Sequence, residues 1–532
     1  MPWLSPKLNE VDEDVMADAV SFVSQDVFTQ PSFSDAIAQD AKQPAYTRLE
    51  RSGVLARFLR EQDPLAAILY WQQHVAVANV NRVDQVRALL CRAIADIDQL
   101  INLQLNAVIH HSAFQQLEAS WRGLLYLAEQ TERHDREQKI KVKLLSLSWA
   151  ELSKDINRAI DFDQSDFFKL IYDNEFDMPG GEPFGVLIGD YQISHKIRPG
   201  QLSNDLDTLK EVARTAAAAF APFICAAHPS LFGVDHFSEL GQVADIGSQF
   251  KQPEYIKWRS LRAMEDARFL GVVLPQILMR SPYKDDGSRT EGFVFRETLA
   301  NSEQDYLWGN AAFAFAAVLV RAYSESGWFA QIRGMKAGQQ SFGLVCDLPV
   351  SRYETEKYQN ANKPSVNLLV GHRFESQLSD NGFVPLSAVP YSDYFAFYNN
   401  ASVQQAKVYD DKLSTVNARL SAMLQYILCV ARFAHYIKVI GRDKVGGYQS
   451  AEHCEQELQR WLHNYTTAST DASTDVRARH PLREARIQVR EKRGEPGRYY
   501  SIIQLQPHFQ LDQMITTVKL VAELSPKQAA TA

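Results

Sequence analysis

"LQPHFQLDQMITTVKLVAEL", residues 505–524, stands near the end of the 532-residue chain. From Thr517 onward it alternates. Val518, Leu520, Ala522 and Leu524 fall on one side; Thr517, Lys519 and Glu523 fall on the other, and Val521 breaks the pattern. A period of two marks a half-buried strand. A strand's N–H and C=O groups need partners, yet only a polar tail, Ser525 to Ala532, follows. Either this strand folds back onto its own domain or it joins a sheet elsewhere.

The hairpin needed for such a sheet lies just upstream. "EARIQVREK" and "RYYSIIQLQ" flank the turn "RGEPG" and read as a β-hairpin. Before it, "ASTDASTD" (Ala468–Asp475) reads as a low-complexity loop. Residues 477–498 carry eight basic side chains against three acidic ones. A charged hairpin edge, a contact to an acidic protein surface such as another subunit's N-terminal arm, and a nucleic-acid site are the open readings. Missing aromatic platforms and a net charge of −8 weigh against the last.

Elsewhere helical and strand-like patterns mix. Val86, Leu89, Leu90, Ile94, Ile97, Leu100 and Ile101 recur at three- and four-residue steps, giving a helix. "AFQQLEASWRGLLYLAEQ" predicts a second helix, "KIKVKLLSLSW" (Lys139–Trp149) a strand, and the stretch from Glu151 to Phe176 more helix. "PFGVLIGDY" (Pro183–Tyr191) reads as an internal strand. The run Ala311–Val320 predicts a buried helix, because ten apolar residues cannot cross a bilayer. No regular βαβ rhythm appears, so the fold class is α+β.

Residues 1 to 45 hold Glu10, Asp12, Glu13, Asp14, Asp18, Asp26, Asp35 and Asp40 against Lys7 and Lys42. They read as an acidic arm that orders on a partner. The opening residues lack a basic n-region and an apolar h-region, so no signal peptide is expected. Five scattered cysteines suggest reduced core thiols and a cytoplasmic location.

The search for chemistry excludes most classes. Gly180, Gly181, Gly185 and Gly189 match neither G-x-x-x-x-G-K-[ST] nor G-x-G-x-x-G. No H-E-x-x-H, C-x-x-C or G-x-S-x-G occurs. No catalytic residue, metal or cofactor is expected. The alternative that remains is an enzyme with an unrecognised acid/base pocket among clusters such as "DFDQSD".

Seven ordered strings then carry a resemblance. They are "DFDQSDFFKLIYDNEFDMPGGEPFGVLIGDY", "FAPFICAAHPSLFG", "KWRSLRAMEDARFLGVVLPQILMRSPY", "YLWGNAAFAFAAVLVRAY", "GFVPLSAVPYSDYFAFYNNASVQ", "NARLSAMLQYILCVARFAHYIKV" and the closing "LQPHFQLDQMITTVKLVAEL". Together they resemble the large subunit of the contractile sheath of type VI secretion systems, the TssC/VipB-like family, from about residue 85 to 524. The resemblance implies a multi-domain contractile-sheath-like core. It would have an N-terminal arm (1–80), a sheath domain with a helical start (81–300) and a C-terminal core (301–532) ending in a hairpin and an exchanged strand. It implies a one-to-one small sheath subunit, identical neighbours in a helical lattice of six-membered rings, an inner tube protein and a baseplate. It also implies a AAA+ ATPase that dismantles the contracted sheath through the small subunit. Neither nucleic acid nor membrane insertion is expected. The exchange strand would be Val518, Lys519, Leu520, Val521, Ala522, Glu523 and Leu524. A tube-facing helix is expected at "AEHCEQELQRWLHNY", presenting Glu452, Glu455, Glu457, Arg460 and His463.

Overall fold

The computed structural model describes residues 54–75 and 82–508, apart from positions 179, 198–202, 244, 286, 288–291, 300–303, 336–341, 353–361, 391, 444–450, 470–471 and 492–498. The acidic stretch 1–45 and the strand expected at 518–524 lie outside the described residues. The chain divides into two compact units, Met1–Ala107 with Lys284–Arg296, and Val108–Tyr283 with Glu297–Ala532.

In the first unit, α1 (Val54–Arg60) and α2 (Pro64–Val75) precede α3 (Val83–Ile109), a 27-residue helix that leaves the unit at Ala107. Its apolar stripe is as the periodicity predicts, but Ile94, Ile97, Ile101, Leu103 and Leu105 are all exposed. The returning segment is pinned to α3 by polar groups. Arg296 N–H donates to Asn102 Oδ1 at 3.0 Å, and Asn106 Nδ2 donates to Arg296 O at 3.3 Å.

The second unit opens with α4 (Ser112–His134) and α5 (Trp149–Arg158). Among the described residues, Lys139–Ser148 between them belongs to no ladder, which corrects the strand expected at Lys139–Trp149. Alternation gives a strand its faces; it cannot supply a neighbour. A capping box ends the extended stretch, with Ser148 and Glu151 satisfying each other's backbone N–H groups.

The central sheet is built from β1 (Leu187–Ile193), β2 (Phe223–Ala227), β3 (Leu270–Leu274), β4 (Leu344–Val345), β5 (Val384–Ala388) and β6 (Phe395–Phe397). Its order is β1-β2-β3-β5-β6-β4. β1, β2, β3 and β5 run parallel, and β6 is antiparallel to both its neighbours. The fold is α+β with a mixed sheet. Among the described residues β1 is an edge strand, not the internal one that its glycine-bounded apolar run suggests. The sheet takes strands from both sides of residue 300.

Helices α6 (Asp205–Ala218), α7 (Ile256–Ala263), α8 (Ala312–Ser326), α9 (His372–Asp380), α10 (Lys412–Ser421) and α11 (Leu424–Asp443) accompany the sheet. Phe223, Cys225 and Ala227 of β2 join one core, with Leu209 and Val212 of α6 and Trp258 of α7. Ile224 and Ala226 join the other core, with Phe315 and Val318 of α8. Both faces are therefore covered, which is why these strands read as unbroken apolar runs. Trp258 stacks on Phe383 with ring centroids 5.2 Å apart. Gly123 lets α4 close on α8, since a Cβ there would meet the Phe313 ring at 2.3 Å.

One buried histidine locks α11 to the loop after α6. His435 Nε2–H donates to Ala219 O at 2.9 Å, while Arg432 Nη1 donates to His435 Nδ1 at 3.2 Å. Both nitrogens are thus used by the neutral ring. Burial, with Arg432 alongside, holds the imidazole down to about 3. Below about pH 6.5 only the unfolded chain takes up a proton there. The wild type should therefore lose stability as pH falls from about 6.5 toward 3. Thermal melts across that range should fall less steeply for His435→Asn, which has no group to protonate.

Candidate assembly site

The end of the described chain forms a module of its own: α11, α12 (Ala451–His463), β7 (Leu482–Glu491) and β8 (Tyr499–Pro507). Its core is aromatic. Trp328 and Phe433 stack with centroids 3.9 Å apart, and Trp461 and Tyr465 meet Phe433 edge-on. Leu458 and Leu462 of α12, with Ala485 and Ile487 of β7, complete the core. The hairpin is the one expected from sequence, with Ile487 opposite Ile503 and Ala485 opposite Leu505.

Its two edges differ. The outer edge of β7 is closed. Leu482 N–H donates to Tyr465 O at 3.3 Å, and Thr467 N–H donates to Leu482 O at 2.9 Å. Further along, α12 supplies side chains in place of a strand. Gln459 Nε2 donates to Ala485 O at 2.9 Å and its Oε1 accepts from Ile487 N–H at 2.9 Å. Glu455 Oε2 accepts from Val489 N–H at 2.9 Å. Gln459 thus imitates a peptide unit on the neighbouring strand, a use of a side chain that blocks strand addition there. Because these odd-numbered β7 residues face outward, β7 and β8 bond through Glu484, Arg486, Gln488 and Arg490. In β8 the register therefore turns the backbone groups of Ser501, Ile503 and Leu505 to the outer edge. Among the described residues no strand pairs with that edge.

The five charged residues expected on a tube-facing helix do not share one environment. Glu452, Arg460 and His463 are exposed, Glu457 is half-buried, and Glu455 is turned onto β7. Val518–Leu524 falls outside the described residues. Gln459 was missed by sequence reasoning. The available signal was its place one turn after Glu455, on the face that meets the hairpin. Among the described residues, no group of three or more His, Cys, Asp or Glu side chains could hold a metal ion. No helix among them is long and apolar enough to cross a membrane.

Two family models match the chain. The tail sheath N-terminal domain of the EvpB/VC_A0108 (VipB) family covers residues 91–404, and its tail sheath gpW/gp25-like domain covers 413–524. The chain belongs to this tail sheath family. It is also 37% identical over 441 residues to the type VI secretion system sheath protein TssC1 of Pseudomonas aeruginosa, across 82% of this chain and 86% of that one. The cryo-EM structure of the anti-feeding prophage baseplate, 6-fold symmetrised, aligns with a TM-score of 0.35 at 7% identity, over 72% of this chain and 84% of that one. The hairpin module described above falls within the second sheath domain.

Edge closure by α12 can be measured. Gln459→Ala leaves Ala485 C=O and Ile487 N–H without these partners and should cost about 1–2 kcal/mol in urea unfolding. Glu452→Ala, on the exposed side of the same helix, should change stability by less than about 0.5 kcal/mol.

Proposed function

We propose that this protein is the large structural subunit of a type VI secretion sheath, and that it acts by polymerising and contracting. Membership of the tail sheath family, matched along most of the chain, is the observation that carries this reading. In it the chain pairs one-to-one with a small sheath subunit, and protomers stack in six-membered rings around an inner tube, starting at a baseplate. The outer edge of β8 then takes strands from neighbours. Residues 518–524 of another copy are the first candidate, with a strand of the acidic N-terminal arm as the second. Backbone hydrogen bonds supply the affinity and alternating side chains fix the register. Pro507, at the end of β8, lacks an N–H and lets the following chain leave in another direction.

The work would be mechanical. An extended lattice, held by tube and baseplate, leaves interfaces between protomers unmade; contraction makes them. A difference of about a few kcal/mol per protomer, comparable to an ordinary population shift, adds up over many copies. No nucleotide chemistry is required of this chain during firing. A AAA+ ATPase would recover the contracted sheath through the small subunit. The exposed Glu452, Arg460 and His463 of α12 offer a polar, releasable contact to the tube, whereas Glu455 is occupied by β7. The uncovered apolar stripe of α3 agrees with a chain that finishes its packing on partners.

Co-expression with the small subunit should yield tubules in electron micrographs. Truncation after Ile515 should leave a folded protomer, with an unchanged circular dichroism spectrum, that forms none. Tubules from the truncated chain would remove the exchange strand from the account. A monodisperse monomer that ignores the small subunit would remove the sheath reading.

A further inference from the structure

The chain passes between its two units at three places, Ala107–Val108, Tyr283–Lys284 and Arg296–Glu297. One buried charge cluster, wholly within the second unit, has a member beside each of them. His110 stands just past the first passage, Tyr283 at the second and Glu297 at the third.

Arg280 is the centre of the cluster. Its Nε–H donates to Glu118 Oε1 at 2.8 Å and its Nη1 to Glu297 Oε2 at 2.6 Å. Its guanidinium also lies over the Tyr283 ring, 4.4 Å from the centroid. Glu297 Oε1 meets His110 Nε2 at 3.0 Å. From α4, Arg122 donates to Glu118 at 2.7 Å and to Tyr283 Oη at 3.0 Å. The second and third passages are also tied to each other. Glu297 N–H donates to Tyr283 O at 3.0 Å, and Tyr283 N–H to Glu297 Oε2 at 2.8 Å. Just before Arg280, Ile277–Leu278 ladders with Trp308–Gly309, which roots the cluster in the second unit.

The Arg280 and Glu297 side chains are only 6% and 1% exposed. Ions withdrawn from water add little stability beyond what apolar side chains of the same volume would give. What they supply is a set of short, directional ties. We infer that the Arg280 cluster is a common anchor for the three passages. It binds the α3–α4 corner and both ends of the Lys284–Arg296 excursion to α4, so that a pull arriving along one passage is shared by all three. This does not depend on the sheath reading, although a lattice whose bodies move past one another would be one source of such a pull. In a common anchor the contacts are cooperative, because loss of the central guanidinium releases every partner at once.

Hydrogen exchange of the full chain, read by mass spectrometry with residue-level fragmentation, tests this. Arg280→Met should speed exchange of the His111, Tyr283 and Glu297 amides together, at least about tenfold, and leave the amides of β3 unchanged. Glu297→Gln, which keeps the shape and removes one charge, should act on the same three amides; it decides the matter if Arg280→Met does not fold. Lys257→Met, which breaks an exposed ion pair with Asp207, should alter none of them. Adding Glu297→Gln to Arg280→Met should accelerate exchange by no more than about twofold further. Faster exchange at Tyr283 and Glu297 with His111 still protected overturns the proposal, since the α3–α4 corner would then not hang on the cluster. Unchanged exchange at all three amides overturns it as well. So do effects of the two substitutions that multiply in full, which would make the contacts independent.

Discussion

A sheet edge with unmet backbone hydrogen bonds must be paired, covered or left to water, and this chain's organisation follows from how each edge is treated. At β7 the edge is closed from within, by Gln459 and Glu455 of α12 and by the chain at Tyr465–Thr467. At β8, among the described residues, no strand pairs with the outer edge. Under the proposed function, closing one side and not the other would make strand addition directional: a neighbour would extend the hairpin past β8 and not past β7. A directional, self-repeating contact is what a helical lattice requires.

The rest of the second unit supplies rigidity. The central sheet is sealed on both faces by two cores, with Trp258, Phe383 and Phe232 in one and Phe315 and Phe397 in the other. Packed cores of this kind resist continuous deformation. A lattice built from them changes length by moving bodies past one another. In the proposed sheath, strand links would hold neighbours together while helix faces exchange contacts. The buried His435 belongs to this rigid part, since its neutral ring spends both nitrogens on joining α11 to the loop after α6. Family membership and the hairpin's geometry therefore point the same way, to a protein whose function is its assembly.

Much of this was legible in the residues. The hairpin announced itself through alternation on either side of "RGEPG", and α3, α4 and α8 through their spacing. The central strands were harder. Where both faces of a strand are buried, as in "FICAA" and "LGVVL", the period of two vanishes and only an apolar run remains. Position within a sheet was not legible at all, and β1 read as internal though it lies at the edge of the sheet that the described residues form. Lys139–Ser148 shows the limit most plainly. Its pattern specifies a strand, while pairing depends on whatever chain comes alongside. Gln459 is hidden for a related reason: its role exists only where α12 meets β7. Of the charged residues of α12, sequence could place the helix but not decide that Glu455 turns inward.

The most direct test is a near-atomic reconstruction of the assembled particle, traced through the hairpin. The account predicts that the backbone of Ser501, Ile503 and Leu505 bonds to a strand from another copy, with residues 518–524 of each protomer leaving its own body. Density showing every copy's 518–524 laid along its own β8 would contradict it.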